Sequence, residues 1–100
     1  MSHVTTHVLD TSAGRPAAGI SVTLERGDRV VASGTTDHDG RVTDLGPDRL
    51  EVGTYRLRFD TSSRSGFFPE VVIAFVVDDD THLHVPLLLS PHGYTTYRGS

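Results

Sequence analysis

Alternation between apolar and polar residues, interrupted by turn formers, runs along most of this chain. The clearest example is T-Y-R-L-R-F-D at residues 54–60, where Tyr55, Leu57 and Phe59 would share one face. Successive side chains of a strand point to opposite faces, so this period of two predicts strands that each bury one face. About eight such segments, separated by turn signals, predict an all-β sandwich of two antiparallel sheets.

Length and charge narrow the class of protein further. The chain has 100 residues, which predicts one domain spanning residues 1–100, and it has no cysteine for disulfide or thiolate chemistry. Its net charge of −4 gives no basic surface for nucleic acid. The longest apolar segments, at residues 71–77 and 85–89, are too short to span a membrane, and no secretory leader is visible. We therefore expect a cytoplasmic protein that binds neither nucleic acid nor membranes.

The segment from residue 82 to residue 100 combines a strand with an unusual terminus. One face of the strand is wholly apolar and is predicted to be the core face: Leu83, Val85, Leu87 and Leu89. The opposite face carries His82, His84 and Pro86, so it is not an ordinary solvent face. Residues 90–93 predict a turn, after which residues 94–97 return as a final strand.

Histidines also occur earlier in the chain. His7 lies in a predicted first strand, residues 4–9, on the face opposite the one that Val8 buries. The remaining three, His3, His38 and His92, are expected to be solvated or to lie in turns. The two strand histidines, His7 and His84, therefore share the property of lying on a non-core face.

Several short motifs together resemble one known family. They are H-V-L-D-x-x-x-G-x-P-A at residues 7–17, D-G-R at 39–41, G-T-Y-R-L at 53–57, F-F-P-E-V at 67–71 and H-V-P-L-L-L-S-P at 84–91. With Y-R-G-S at residues 97–100, this set resembles the 5-hydroxyisourate hydrolases, the transthyretin-like enzymes of urate breakdown. The resemblance spans nearly the whole chain and implies a transthyretin-like β-sandwich.

The chain departs from the family pattern in three places. Leu83 stands where the family usually has tyrosine, and His92 where it usually has an aromatic residue. Between the strand ending near Asp60 and the motif at residue 67, the family usually carries a short helix. Here only the polar residues 61–66 connect the two, so we predict no helix, or at most one turn.

The resemblance implies which side chains act. His7 and His84 would orient and deprotonate a water molecule, a role that suits imidazole because its ordinary pKa lies near 6.5. Arg41 would hold the substrate and offset developing negative charge through paired guanidinium hydrogen bonds. Ser100 would act as a fourth catalytic residue through its hydroxyl and the terminal carboxylate. Three further tail residues would line the pocket and bind substrate: Tyr97, Arg98 and Gly99.

The implied reaction is hydrolysis of 5-hydroxyisourate to 2-oxo-4-hydroxy-4-carboxy-5-ureidoimidazoline, by addition of water to a ring carbonyl. This reaction requires no cofactor and no metal, although His7, His82 and His84 together could hold an adventitious zinc ion. The resemblance also implies a homotetramer, a dimer of dimers, with the sites in a channel between dimers. Apolar Leu9 and Leu88 on the non-core faces fit such an interface.

Two other functions stay open at this point. A transthyretin-like protein could instead carry a small aromatic ligand, but transthyretin has lysine, glutamate and threonine where His7, Arg41 and His84 stand. The motifs at residues 14–24 and 36–41 also resemble the accessory sandwich domains attached to carboxypeptidases and surface adhesins. Those domains lack the motifs at residues 84–91 and 97–100, so the last part of the chain favours the hydrolase.

Overall fold

The computed structural model describes residues 2–99, which form nine strands and no helix. The strands are β1 (Val4–Asp10), β2 (Arg15–Pro16), β3 (Ser21–Arg26), β4 (Arg29–Thr35), β5 (Arg41–Val42), β6 (Gly53–Asp60), β7 (Glu70–Val77), β8 (Leu83–Ser90) and β9 (Gly93–Thr96). The strand beyond the predicted eight is β2, which is 2 residues long. Within residues 2–99 nothing has the helical length and apolar character needed to cross a lipid bilayer.

The strands form two sheets, as the alternation predicted. One has the order β2-β1-β8-β9, with β5 also pairing along β1, and the other has the order β4-β3-β6-β7. All pairs are antiparallel except β1 with β8, which run parallel from Val4 opposite Leu83 to Asp10 opposite Leu89. The expectation of purely antiparallel sheets is corrected at this one pair.

The core lies between the two sheets and is filled by every second residue of the long strands. In β8 the predicted core face is confirmed, because Leu83 and Val85 are 8% exposed and Leu87 is 0% exposed. The facing sheet contributes Leu57 and Phe59 from β6, both fully buried. This burial of every second residue explains why apolar and polar residues alternate in the strands, because apolar area removed from water stabilises the fold at roughly 25 cal/mol per Å².

The connection between β6 and β7 contains a single hydrogen-bonded turn. The backbone N–H groups of Arg64 and Ser65 both donate to the carbonyl oxygen of Thr61, at 3.0 Å each. The chain then passes through Phe67 before β7 begins at Glu70. The prediction of no helix, or at most one turn, in residues 61–66 is confirmed.

His3 corrects another expectation, because its side chain is buried rather than solvated. The residue is 2% exposed. Its Nε2 donates to the carbonyl oxygen of Thr81 at 2.9 Å, and its Nδ1 accepts from the backbone N–H of Leu50 at 2.8 Å. These partners require the Nε2-protonated tautomer. His3 therefore ties the start of β1 to two loops, whereas His38 and His92 are exposed as expected.

Candidate functional site

Strand pairing around β1 brings together the residues that the sequence singled out. In the parallel pair, Thr5 lies opposite His84 and His7 lies opposite Pro86. On its other edge β1 pairs with β5, where His7 lies opposite Arg41. Residues opposite one another share a face, so His7, Arg41 and His84 all lie on the face of this sheet that points away from the core.

A tight turn presents Arg41 to this face. The Asp37 carboxylate accepts hydrogen bonds from the backbone N–H groups of Asp39 at 2.9 Å and Arg41 at 3.0 Å. Both bonds lower the pKa of Asp37, and the bond from Arg41 has the larger effect. Gly40 has a φ of 75°, which favours glycine, and a Cβ there would also clash with the carbonyl oxygen of Val8. The D-G-R motif therefore supplies both the turn and the exposed guanidinium.

The His84 imidazole is held by Thr5. Its Nδ1 lies 2.8 Å from the Thr5 hydroxyl oxygen, and the same oxygen lies 3.1 Å from Nε2 of His82. Partial burial lowers the pKa of His84 below its ordinary value, and the charges of Arg41, His7 and His82 lower it further. A hydrogen bond with the backbone of Thr5 acts in the opposite direction. The neutral, proton-accepting form of His84 is therefore favoured down to a lower pH than in an isolated histidine.

The tail returns to His84 at Gly99. The Gly99 N–H donates to the carbonyl oxygen of His84 at 2.8 Å, and the two residues form an isolated β-bridge. A Cβ at Gly99 would lie 2.7 Å from Cδ2 of the His84 ring, so only glycine fits without a shift. Gly99 is thus packed closely against the imidazole.

Pro86 explains why β9 stops before this bridge. Leu87 pairs with Thr96 and His84 with Gly99 in one continuous register, which puts residue 97 opposite Pro86. In an antiparallel ladder every second pair of opposite residues is hydrogen-bonded. The hydrogen-bonded pair next to His84–Gly99 would be Pro86 with residue 97, and proline has no N–H to donate. The Thr96 hydroxyl donates to the Pro86 carbonyl oxygen at 2.8 Å instead.

The tail residues at 97 and 98 border a separate cavity. Tyr97 is 56% exposed, and with Arg98 and His84 it lines a space of about 420 Å³ whose far wall is residues 73–76 of β7. His7 and Arg41 are not among the described residues that line this space. His84 thus stands between the His7–Arg41 row and the Tyr97–Arg98 cavity. Ser100, the remaining predicted catalytic residue, lies outside the described residues.

Within residues 2–99, one group of three side chains has potential metal-ligand atoms within 4.8 Å of one another: Asp37, His38 and Asp39. All three are exposed and form the turn before Arg41. The imidazoles considered for an adventitious zinc ion, at His7, His82 and His84, do not form such a group.

Thr5 is the site residue that the sequence did not reveal. Its position on the His7 face was evident from the alternation, and a threonine hydroxyl can both donate and accept. Its partners are 77 and 79 residues away, so finding them required the register of the parallel β1–β8 pair. Thr5 is 5% exposed, which marks it as a buried polar residue beside an exposed face.

The chain is similar to known proteins along nearly its whole length. The sequence pattern of the HIUase/Transthyretin family matches residues 4–99. This chain belongs to the HIUase/Transthyretin family. Among its relatives, the 5-hydroxyisourate hydrolase of Caulobacter vibrioides is 46% identical over 115 aligned positions, which cover 100% of both chains.

Solved structures of the HIUase/Transthyretin family have the same fold. The 5-hydroxyisourate hydrolase of Klebsiella pneumoniae superposes with a TM-score of 0.89 at 37% identity, covering 97% of this chain and 98% of that one. Sea bream transthyretin in complex with thyroxine superposes with a TM-score of 0.85 at 26% identity, covering 96% and 93%. The resemblance found in the sequence and the transthyretin-like sandwich that it implied are thereby confirmed.

The contact between Gly99 and His84 leads to a first prediction. Replacing Gly99→Ala should displace either the tail or the His84 ring, because the added Cβ has no room. We expect loss of ring-opening activity with a melting temperature close to wild type, since the tail adds little to the core. Gly93→Ala is the matched control, because its Cβ would meet only Ser90 Oγ at 3.8 Å. Equal activity in the two variants would contradict the prediction.

Proposed function

We propose that this protein hydrolyses 5-hydroxyisourate to 2-oxo-4-hydroxy-4-carboxy-5-ureidoimidazoline, a step of urate degradation, and that residues 1–100 act as one catalytic domain. The observation that carries the proposal is the shared face of His7, Arg41 and His84, set by strand register. The 5-hydroxyisourate hydrolase of Caulobacter vibrioides, similar over its full length, supports the choice of substrate.

In the proposed mechanism, His84 acts as the general base. Its Nε2 accepts a proton from a water molecule that His7 helps to orient, and the water oxygen bonds to the ring carbonyl carbon. The carbonyl oxygen becomes negatively charged, and the Arg41 guanidinium stabilises that charge. When the ring C–N bond breaks, the imidazolium returns the proton to the leaving nitrogen. The reaction is therefore balanced without a cofactor or a metal.

The tail would complete the pocket on the other side of His84. The Gly99 contact holds the tail against the imidazole, and Tyr97 and Arg98 line the adjoining cavity together with His84. A phenol and a guanidinium suit a planar, hydrogen-bonding heterocycle. In this proposal Ser100 supplies its hydroxyl, and the protein works in the cytoplasm.

We expect His84→Ala and Arg41→Ala each to lose most of the activity while the fold is kept. His84 is the proposed base and Arg41 the proposed anion-stabilising group, and losing one such group typically costs about a hundredfold to ten-thousandfold in rate. Neither side chain belongs to the apolar core, so stability should change little. An ultraviolet assay with freshly generated 5-hydroxyisourate measures the rates.

Arg29→Ala is a matched control for Arg41→Ala, because Arg29 is exposed at the start of β4 in the other sheet. It should behave as wild type. A wild-type rate in His84→Ala or Arg41→Ala would remove that residue from the mechanism. A wild-type protein that does not accelerate ring opening at all would overturn the proposed function.

The lowered pKa of His84 predicts the pH dependence of the reaction. The base must be neutral to accept a proton, so kcat/KM should fall on the acid side as His84 becomes protonated. Because partial burial and then Arg41 hold this pKa down, the midpoint should lie below the ordinary value near 6.5. NMR titration of His84 should show its midpoint rising in Arg41→Ala, which removes one positive charge. An unchanged midpoint would contradict this account.

We also propose a homotetramer, a dimer of dimers, with the sites in a channel between dimers. Leu9 lies opposite Leu88 on the same face as the histidines, and both are only partly buried in the single chain. Light scattering at micromolar concentration should give four times the mass of one chain. Leu88→Glu should lower that mass, whereas Val30→Glu on β4, where Val30 is 58% exposed, should not. A fully active monomer would refute this assembly.

A further inference from the structure

The Thr5 hydroxyl joins two imidazoles that sit in different surroundings. Its oxygen lies 2.8 Å from Nδ1 of His84 and 3.1 Å from Nε2 of His82. Thr5 is buried, His84 is half-buried beside the tail, and His82 is exposed just before β8. Both contacts are within hydrogen-bonding distance, so the single hydroxyl proton could be donated to either nitrogen.

Because Thr5 has a single hydroxyl proton, it links the protonation of the His84 ring to that of the His82 ring. A threonine hydroxyl donates one hydrogen bond and accepts others, while a neutral imidazole has one protonated and one unprotonated nitrogen. Thr5 Oγ1 could accept from both rings, but its own proton would then lack an acceptor, because these two nitrogens are its hydrogen-bond partners among the described residues. Since Thr5 is 5% exposed, the arrangement that satisfies every group has Thr5 donating to one ring and accepting from the other. In that arrangement the tautomer of His84 and the tautomer of His82 are linked.

The proposed function selects one of the two arrangements. His84 can act as a base at Nε2 only if its neutral ring carries the proton on Nδ1. That Nδ1–H group then donates to Thr5, and the Thr5 hydroxyl donates to Nε2 of His82. We propose that Thr5, with His82 as its acceptor, holds His84 in the Nδ1-protonated tautomer and so keeps Nε2 available to water. This inference rests on the proposed hydrolase activity.

The arrangement also suits the charged state that the reaction produces. When Nε2 of His84 takes up a proton, its Nδ1–H bond to Thr5 and the Thr5 bond to His82 need not change. No hydroxyl has to rotate during turnover, and preorganised groups of this kind avoid a reorganisation cost. Thr5 and His82 are therefore positioning residues, since they act on the reaction through His84.

The test compares Thr5→Val with Thr5→Ser. Valine keeps nearly the same shape without the hydroxyl, and serine keeps the hydroxyl without the methyl group. Nitrogen-15 NMR of the histidine rings, at about pH 8 where imidazoles are neutral, distinguishes protonated from unprotonated nitrogens. In wild type we expect Nδ1 of both His84 and His82 to be protonated. Thr5→Ser should keep this pattern, and Thr5→Val should lose it in both rings.

The kinetic arm uses the same variants. Thr5→Val should lower kcat by at least about tenfold, part of what a positioned base contributes, with KM little changed. Thr5→Ser should recover most of the rate. Thr54→Val, at an exposed position on β6, is the control for a threonine-to-valine change elsewhere. If Thr5→Val does not fold, Thr5→Ala removes the same hydroxyl with less steric demand.

The outcomes separate this inference from the proposed function. An active wild type whose His84 is protonated on Nε2 overturns the inference and leaves the activity standing, and so does a Thr5→Val variant with unaltered kcat. An inactive wild type overturns the proposed function. In that case the ring spectra alone decide whether Thr5 couples the two tautomers.

Discussion

Strand β1 runs parallel to β8, and this pairing brings the two site histidines onto one face. An antiparallel hairpin could not join them, because the rest of the sandwich lies between these strands in the sequence. The pair is reinforced inside the core, where the Thr6 hydroxyl donates to the Val85 carbonyl oxygen at 2.6 Å. Thr5, one residue earlier, contacts His84 on the opposite face. Consecutive threonines thus hold the same two strands together from both sides of the sheet.

His84 is the point where the three parts of the site meet. Thr5 holds one edge of its ring, Gly99 packs against the other, and Arg41 and His7 influence its charge. The interruption at Pro86 keeps β9 from continuing as a regular strand toward this ring. The register continues across this interruption, so Gly99 still lies opposite His84 and gives the tail a close contact with the ring.

Local periodicity predicted most of the strands and the core face of β8, because alternation is a property of neighbouring residues. The one-turn connection at 61–66 was predictable for the same reason, since a short polar segment cannot form a longer helix. The parallel β1–β8 pair, the burial of His3 and the Thr5 contacts were not predictable from periodicity. Each depends on residues far apart in the chain, such as His3 and Thr81, which only the assembled sheets bring together.

The distance along the chain between the two halves of the site has a consequence for biosynthesis. Thr5 and His84 are separated by 79 positions, so the pocket does not exist until β8 has left the ribosome and docked on β1. Contacts this distant in sequence form late and slow the folding of a small domain. Until β8 docks, β1 presents an open edge in the nascent chain, which other strands could bind. Catalysis therefore begins only when the last long strand closes the sheet.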